Sequence, residues 1–228
     1  MFKQIILLIF FSFFLSLDVS AGEKELKLVY KIEYINLDES MQFMKAMLPN
    51  KQIIYIKDNK TLIVLAGSKA GDQQYLIDNT SGKVFLLMNV MGKKVAMESD
   101  LNELYGNNVL YKGLEHKELD EDKEIAGVKC KKVNLAMPDG TLGQAFYAPS
   151  IKRHKGYKDL PLNNLPGIAM EFTQTLSDKM FSITAKHTCL SISEKEIDEF
   201  ISTFVLPDEE ENSEISESDN IQSFDLMF

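Results

Sequence analysis

Cys130 and Cys189 are the only two cysteines of this 228-residue chain, and His187 lies two residues before Cys189. Alternate residues of a strand share one face, so this spacing places an imidazole beside a thiol, as in enzymes with a cysteine nucleophile. Such a pair also needs a third group that orients the ring, and the sequence identifies none. Phe181, Ile183 and Ala185 share the same face, which is typical of a packed core. We therefore expect no catalytic residue on this strand.

The two cysteines leave three alternatives open. In an oxidising compartment they can pair, and a disulfide closing so long a loop would add roughly 3 to 5 kcal/mol in the chain-entropy model. Pairing requires Cα atoms within about 7 Å of each other, which the sequence does not determine. They can also remain buried and inert thiols, and reactive chemistry is the third alternative.

Metal-binding and cofactor-binding patterns are absent from the sequence. His116, His154 and His187 are far apart and show no H-x-x-x-H or C-x-x-C spacing. The acidic run from Asp120 to Glu124 lacks the glycine and the alternating ligands of a calcium loop, so we interpret it as a solvated turn. The chain has no G-x-S-x-G, P-loop or G-x-G-x-x-G motif. We expect no metal, no cofactor and no enzymatic activity.

The first 21 residues predict a secretory signal peptide. Lys3 precedes an apolar run from Ile5 to Leu17, and Val19-Ser20-Ala21 supplies the small residues of a cleavage site. The run is too short for a membrane span. No cysteine follows the predicted cleavage site, so we expect an exported protein, periplasmic or secreted, that is not a lipoprotein.

Most of the net charge of −9 lies at the C-terminus. Residues 208–228 contain eight acidic and no basic residues, which predicts a disordered acidic tail and leaves the folded domain, residues 22–207, close to neutral. Nucleic acid is excluded as a partner, because such binding needs a cationic face. The tail ends in an apolar stretch, Phe224 to Phe228, that either docks or frays.

The pattern of the domain predicts a mainly β (α+β) protein with ten or eleven strands. Apolar and polar residues alternate from Leu26 to Tyr34, as in a strand with one wet face. Turn residues join further strands into a meander that should curl. The other predicted strands are Gln52–Lys57, Thr61–Ala66, Gln74–Asp78, Lys83–Asn89, Lys93–Glu98, Leu114–Leu119, Val128–Met137, Thr141–Ala148, Ile168–Leu176 and Lys179–Ser191.

Three helical segments interrupt this pattern. The first opens at Asp38 and stops at Pro49, and two short ones follow Ser99-Asp100 and the capping box that begins at Ser193. A methionine-rich face can adapt to ligands of varied shape, or it can fill an irregular core. If the first segment covers a ligand in the hollow of the sheet, the candidate contacts are Met41, Phe43, Met44, Met47, Leu48 and, on the first strand, Tyr30 and Ile32.

Two further motifs are local. Lys152, Arg153, His154, Lys155 and Lys158 form a basic cluster that either meets anionic lipid headgroups or an acidic partner, or is a solvated loop. Leu165-Pro166-Gly167 predicts a sharp corner into the strand at Ile168, because proline fixes φ and glycine frees the backbone.

Three stretches resemble a known group of exported proteins. They are Glu124 to Lys132, with its I-A-G-x-K-C element, Phe146 to Ile151, and Asn164 to Glu171, which contains L-P-G-I. In this order and spacing they resemble uncharacterised families common in Bacteroidetes, including the GLPGLI-motif family. The wider superfamily holds the lipoprotein carrier LolA and the receptor LolB. This chain reads Asn-Leu-Pro-Gly-Ile-Ala in place of the family motif, which is typical of a sister family.

The resemblance implies a half-open, curved antiparallel sheet with short helices on its concave face, and no assigned activity. In the carriers that hollow holds acyl chains. We therefore expect a non-catalytic envelope protein that binds a lipid or an acylated polypeptide and is at most peripheral to the membrane. The alternative is a structural or protein-interaction module with a filled core.

Overall fold

The computed structural model of this protein describes residues 25–90, 93–101, 115–136, 142–151, 162, 164–177 and 182–194. Eleven strands lie in these ranges. They are β1 (Leu26–Leu37), β2 (Lys51–Lys57), β3 (Lys60–Ala66), β4 (Gln73–Asp78), β5 (Lys83–Val90), β6 (Lys93–Asp100), β7 (Glu115–Ile125), β8 (Val128–Ala136), β9 (Leu142–Ala148), β10 (Ile168–Ser177) and β11 (Ser182–Ser193).

The strands form one antiparallel sheet in the order β6-β5-β4-β3-β2-β1-β11-β10-β9-β8-β7. The sheet is curved and not closed, so the predicted half-barrel architecture is confirmed. Two meanders, β1 to β6 and β7 to β11, meet where the first strand pairs with the last. Each predicted strand has its counterpart, and the largest differences are at the C-terminal ends of β7 and β1, which extend six and three residues beyond the prediction.

Apolar side chains from neighbouring strands line up across the sheet. Leu28 faces Ile54 on β2, Ile54 faces Ile63 on β3, and Ile63 faces Tyr75 on β4. All four are buried, and we call the face that carries them the core face. On the opposite face, alternation places a smaller buried group, Leu62, Val64 and Leu76. The alternating pattern read from the sequence therefore sets which residues form the core.

The I-A-G element is the turn between β7 and β8. Ala126 and Gly127 both have positive φ, at 51° and 75°. Two consecutive residues of this kind make the tight turn whose twist matches a β-hairpin. The next residues lead into β8, which carries Cys130.

Gly167 lies directly before β10, as the predicted corner requires. Its φ is not in the left-handed region, so backbone freedom is not the reason for glycine. A Cβ here would lie 2.2 Å from the carbonyl oxygen of Ala148. The position therefore requires the absence of a side chain, because β9 and β10 approach each other closely.

Strand β7 is an acidic edge of the sheet. The prediction of a turn at Asp120–Glu124 was wrong, because these residues lie inside β7 at an irregularity between Glu118 and Asp122. The charged residues occupy both faces, so no apolar alternation marks the strand. Lysines of β8 pair with its carboxylates, at N–O distances of 2.6 Å for Lys129–Asp122, 3.2 Å for Lys131–Glu118 and 2.8 Å for Lys132–Glu121.

Lys123 links this edge to a strand nearer the middle of the sheet. Its Nζ lies 2.9 Å from Oε2 of Glu171 on β10 and 5.2 Å from the ring centroid of Phe146 on β9. Lys186 of β11 approaches the same carboxylate oxygen to 3.3 Å. Burial raises the pKa of Glu171, but the two lysines outweigh burial and the net pKa is lowered. These contacts tie β7 to β10 and β11.

The predicted helix after β1 is a 3₁₀ helix from Glu39 to Met47 rather than an α-helix. A 3₁₀ helix has three residues per turn, so Met41, Met44 and Met47 share one side and Phe43 lies on another. The other two predicted helical segments lie almost wholly outside the described residues, and Leu101, the one described residue within them, is helical. Ser99 and Asp100 belong to β6 and Ser193 to β11, and the residues after Leu101 and after Glu194 lie outside the described ranges.

Candidate functional site: a small pocket and the apolar surface beside it

His187 lies at the centre of the sheet, on the core face of β11. It faces Ile32 on β1 and Phe172 on β10, and it is only 5% exposed. The imidazole stacks on the Phe172 ring with centroids 4.7 Å apart and planes 4° from parallel. Burial on this face follows the alternation of β11, in which Ile183, Ala185, His187 and Cys189 are all buried. The prediction that these four share a packed face is confirmed.

One hydrogen bond satisfies the polar side of His187. Its Nδ1 lies 3.2 Å from Oε1 of Gln52, a β2 residue that is also buried. Because an amide oxygen only accepts, Nδ1 carries the proton and donates. Burial lowers the pKa of His187 to about 4, so the ring is neutral at physiological pH. No hydrogen bond joins His187 to Cys189 within the described residues, and the imidazole does not activate this thiol.

Both cysteines are buried thiols. Cys130 Sγ donates to the carbonyl of Val128, and Cys189 Sγ donates to that of Ser191, each at 3.3 Å. Burial raises the pKa of each thiol to about 11. Few of these groups are thiolates at neutral pH, so both are weak nucleophiles. They are unpaired in this structure, and disulfide formation between them stays a prediction.

A small pocket opens beside His187. Its volume is about 30 Å³, and it is lined by Ile32, Tyr34, Pro49, Leu65, Gln174, Ile183, Ala185 and His187. The Tyr34 hydroxyl donates to the carbonyl of Pro49 at 2.7 Å, and burial raises its pKa to about 12. A space of this size holds roughly one or two waters, whereas ligand pockets are about ten times larger or more.

The seven residues predicted to contact a ligand lie in different environments. Ile32 lines the pocket, and Tyr30 is buried in the core, where its hydroxyl donates to the carbonyl of Ala169 at 2.8 Å. Leu48 is buried, and Met41 and Met44 are half-buried. Phe43 is 81% exposed and Met47 is 55% exposed. The seven residues therefore do not line one cavity.

Exposed apolar side chains concentrate at the end of β1 and along the 3₁₀ helix. Of the four large apolar side chains that are exposed within the described ranges, three are Ile35, Phe43 and Met47, which we call the apolar surface. Grouped exposed apolar side chains are a common mark of a binding surface, and these three all lie between residues 35 and 47. The sequence prediction missed it, because α-helical spacing assigned Phe43 and Met47 to the buried side. The threefold spacing of Met41, Met44 and Met47 was the available signal for a 3₁₀ helix.

Hydrogen bonds anchor the 3₁₀ helix at both of its ends. The amide nitrogen of Ser182 donates to Oδ2 of Asp38 at 2.7 Å, just before the helix begins. At the other end, the Ser68 hydroxyl donates to the carbonyl of Met47 at 2.7 Å, and the Lys69 amide donates to that of Ala46 at 2.9 Å. The exposed side chains are thus presented on a backbone fixed to β11 and to the β3–β4 loop.

Several predictions concern residues that the structure does not describe. They are the signal peptide over residues 1–21, the basic cluster from Lys152 to Lys158 with its His154, and the acidic tail over residues 208–228. Among the described residues, none of the helices has the length and hydrophobicity that a membrane span requires. The same residues contain no group of three or more histidine, cysteine or acidic side chains arranged to hold a metal ion.

Comparison with known proteins identifies no family for this chain. No family model and no curated protein matches this chain. Two solved structures, described as "Structure of PNGF-II in C2 space group" and "Structure of PNGF-II in P21 space group", resemble it with a TM-score of 0.41 each, at 11% and 14% identity. The likeness covers 82% and 86% of this chain, which spans 29% and 32% of the other two. Such a distant likeness carries no argument about function.

Proposed function

We propose that this chain is a non-catalytic, exported interaction module, in which the curved sheet is a filled scaffold and the apolar surface binds a protein of the cell envelope. The observation that carries this proposal is the position of Ile35, Phe43 and Met47, which are exposed on a firmly held backbone. The absence of activity is proposed because both thiols have raised pKa values and His187 is bonded only to an amide.

Close packing at the centre of the sheet supports the same proposal. His187 stacks on the ring of Phe172, and Tyr30 meets Phe172 edge to face with ring centroids 6.1 Å apart. The pocket beside them in the described part of the chain has a volume of about 30 Å³. Each methylene of an acyl chain needs about as much space as a water molecule in the liquid, so a fatty acid does not fit there.

A hydrophobic ligand is the second candidate function. Pro49 both follows the 3₁₀ helix and lines the pocket, so displacement of the helix would enlarge the pocket directly. The candidate ligand would then be a lipid or an acylated polypeptide, held by Ile32 and the methionines of the helix. This candidate requires a second conformation, whereas binding at the apolar surface requires none.

Capture from solubilised envelope extract tests the interaction proposal. The immobilised full chain is compared with a Phe43→Ser/Met47→Ser variant and with a Leu190→Ser control, since Leu190 on β11 is 56% exposed and thus matches Met47. A protein retained by the wild-type chain and the control, but lost from the double variant, supports the proposal. Equal retention by all three chains contradicts it.

A further inference from the structure

The sheet has a second apolar side, opposite the core face. Leu62 and Val64 on β3 are 1% and 8% exposed there, and Leu76 on β4 is 8% exposed. Strand β3 is therefore buried on both of its faces, and its sequence is a continuous apolar run from Leu62 to Ala66. We call this side the second face, and its described apolar residues include Leu62, Val64, Leu76 and the half-buried Ile53, Tyr55 and Phe85.

A single layer of strands does not bury the side chains on its own surface. An antiparallel sheet is dry on both faces only where another layer packs on each of them. Among the described residues, all the apolar side chains that pack with Leu62, Val64 and Leu76 come from β2, β3 and β5, which belong to the same layer. Since this burial is found in one chain alone, the covering segment belongs to the chain itself and lies outside the described ranges.

The end of β11 is in line with the second face. Ser193 pairs with Lys27 on β1, Lys27 pairs with Tyr55 on β2, and Tyr55 pairs with Leu62 on β3. Directly paired residues share one side of a sheet, and the Nζ of Lys27 lies 4.9 Å from the centroid of the Tyr55 ring. The chain therefore leaves β11 about three strand spacings, roughly 14 Å, from Leu62.

Two internal segments outside the described ranges, residues 102–114 and 152–161, adjoin the other side of the sheet. Their flanking residues Leu101, Ile151 and Leu162 pack in or against the buried cluster of the core face. Export would remove the predicted signal peptide. The residues that follow β11 are therefore the best candidates for the cover.

The sequence after β11 has the pattern of an amphipathic helix. A capping box begins at Ser193, and apolar residues then recur at α-helical spacing, at Ile197, Phe200, Ile201 and Phe204. We propose that residues 195–206 form an α-helix that packs across the second face, with this apolar stripe on the side chains of β3 and β4. Such a helix is about 18 Å long, which spans the three strand spacings to β3. The second face shares no residue with the apolar surface, so this inference does not depend on the proposed envelope partner.

Hydrogen exchange of the unmodified full chain tests whether this helix forms. The amides of residues 199–206 should exchange at least about 100-fold more slowly than in an unstructured peptide, because a packed helix must open before they exchange. Residues 208–223, in the predicted acidic tail, should exchange at the rate of the peptide and serve as the internal reference. Exchange at the peptide rate throughout residues 199–206 would overturn the inference.

Photocrosslinking tests where the helix lies. A benzoylphenylalanine in place of Phe85, which is half-buried in the second face, should crosslink to residues 195–206 at the mass of a monomer. The same probe in place of Gln74, which faces Val64, gives a second position, and Ile35, at 60% exposure near the other end of β1, is the control that should give no such product. Phe200→Ser/Phe204→Ser should lower the yield about tenfold, and Phe224→Ser/Phe228→Ser should leave it unchanged.

The identity of the crosslinked peptide decides the outcome. Products with residues 1–24, 102–114 or 152–161 would assign the cover to that segment and overturn the inference. Products found only at the mass of a dimer would assign the second face to another copy of the chain. A yield that is equal in the two double variants would show that the apolar stripe does not hold the segment in place.

Discussion

The centre of the sheet at His187 lines the small pocket, and the 3₁₀ helix ends shortly before Pro49, which lines the same pocket, yet the two regions expose their side chains very differently. His187 bonds to Gln52 through Nδ1 and stacks on the ring of Phe172, so the residue that suggests chemistry is used for packing. On the helix, Phe43 and Met47 have no such cover. The comparison teaches that the residue types usually found in active sites belong to the structural core here, whereas unreactive apolar residues form the candidate binding surface.

Removal of a central ring should give the largest effect. Phe172→Ala deletes the side chain that packs on both His187 and Tyr30, so the free energy of unfolding should fall by about 3 to 5 kcal/mol. Urea denaturation measures this loss, and Phe172→Leu should cost clearly less. A loss below about 1 kcal/mol would mean that the centre of the sheet is not the packed core described above.

The pH dependence of stability tests whether His187 is buried at the centre of the sheet. The pKa of His187 is about 4 in the folded protein, whereas a solvated histidine of the unfolded chain has the ordinary value of 6.5. Below pH 6.5 this imidazole therefore binds a proton in the unfolded chain but not in the folded protein. The free energy of unfolding falls as the pH falls towards 4. The loss between pH 7.5 and pH 4.5 should be about 2.5 kcal/mol. His187→Gln should remove this part of the slope, and an unchanged slope would contradict a neutral, buried ring.

Substitution of Glu171, on the face opposite the core face, should have a smaller effect on the free energy of unfolding. Glu171→Gln removes the negative charge that Lys123 and Lys186 share, and its side chain is only 12% exposed. The free energy of unfolding should fall by about 1 kcal/mol, and the loss should shrink in high salt. Glu98→Gln is the control, because Glu98 pairs with Lys83 but is 53% exposed. Equal effects at both positions would indicate that the contact between β7 and β10 is not important for the fold.

The apolar surface should give the smallest change in stability. Phe43→Ser/Met47→Ser should shift the free energy of unfolding by no more than about 0.5 kcal/mol, because Phe43 is mostly exposed and Met47 is more than half exposed. The same variant should lose the envelope partner that Phe172→Leu retains. A double variant that unfolds as easily as Phe172→Ala would place these side chains in the core and remove the contrast between the two regions.

The sequence was sufficient for the sheet and insufficient for the site, and particular residues show why. Alternation from Leu26 to Tyr34 identifies β1, because a two-residue period is visible in one strand alone. The strand at Glu115–Ile125 was placed too short, since its charges are balanced by lysines on β8 that are distant in sequence. The exposure of Phe43 depends on the 3₁₀ geometry and on hydrogen bonds to Ser68 and Lys69, which no local pattern encodes.

Native mass spectrometry of the protein purified from its own envelope tests the central claim most directly. A filled core with binding on the outside predicts the mass of the bare chain, with no lipid released on denaturation. A stoichiometric lipid or acyl-peptide mass would contradict this account, because the pocket beside His187 cannot hold such a ligand unless the 3₁₀ helix moves.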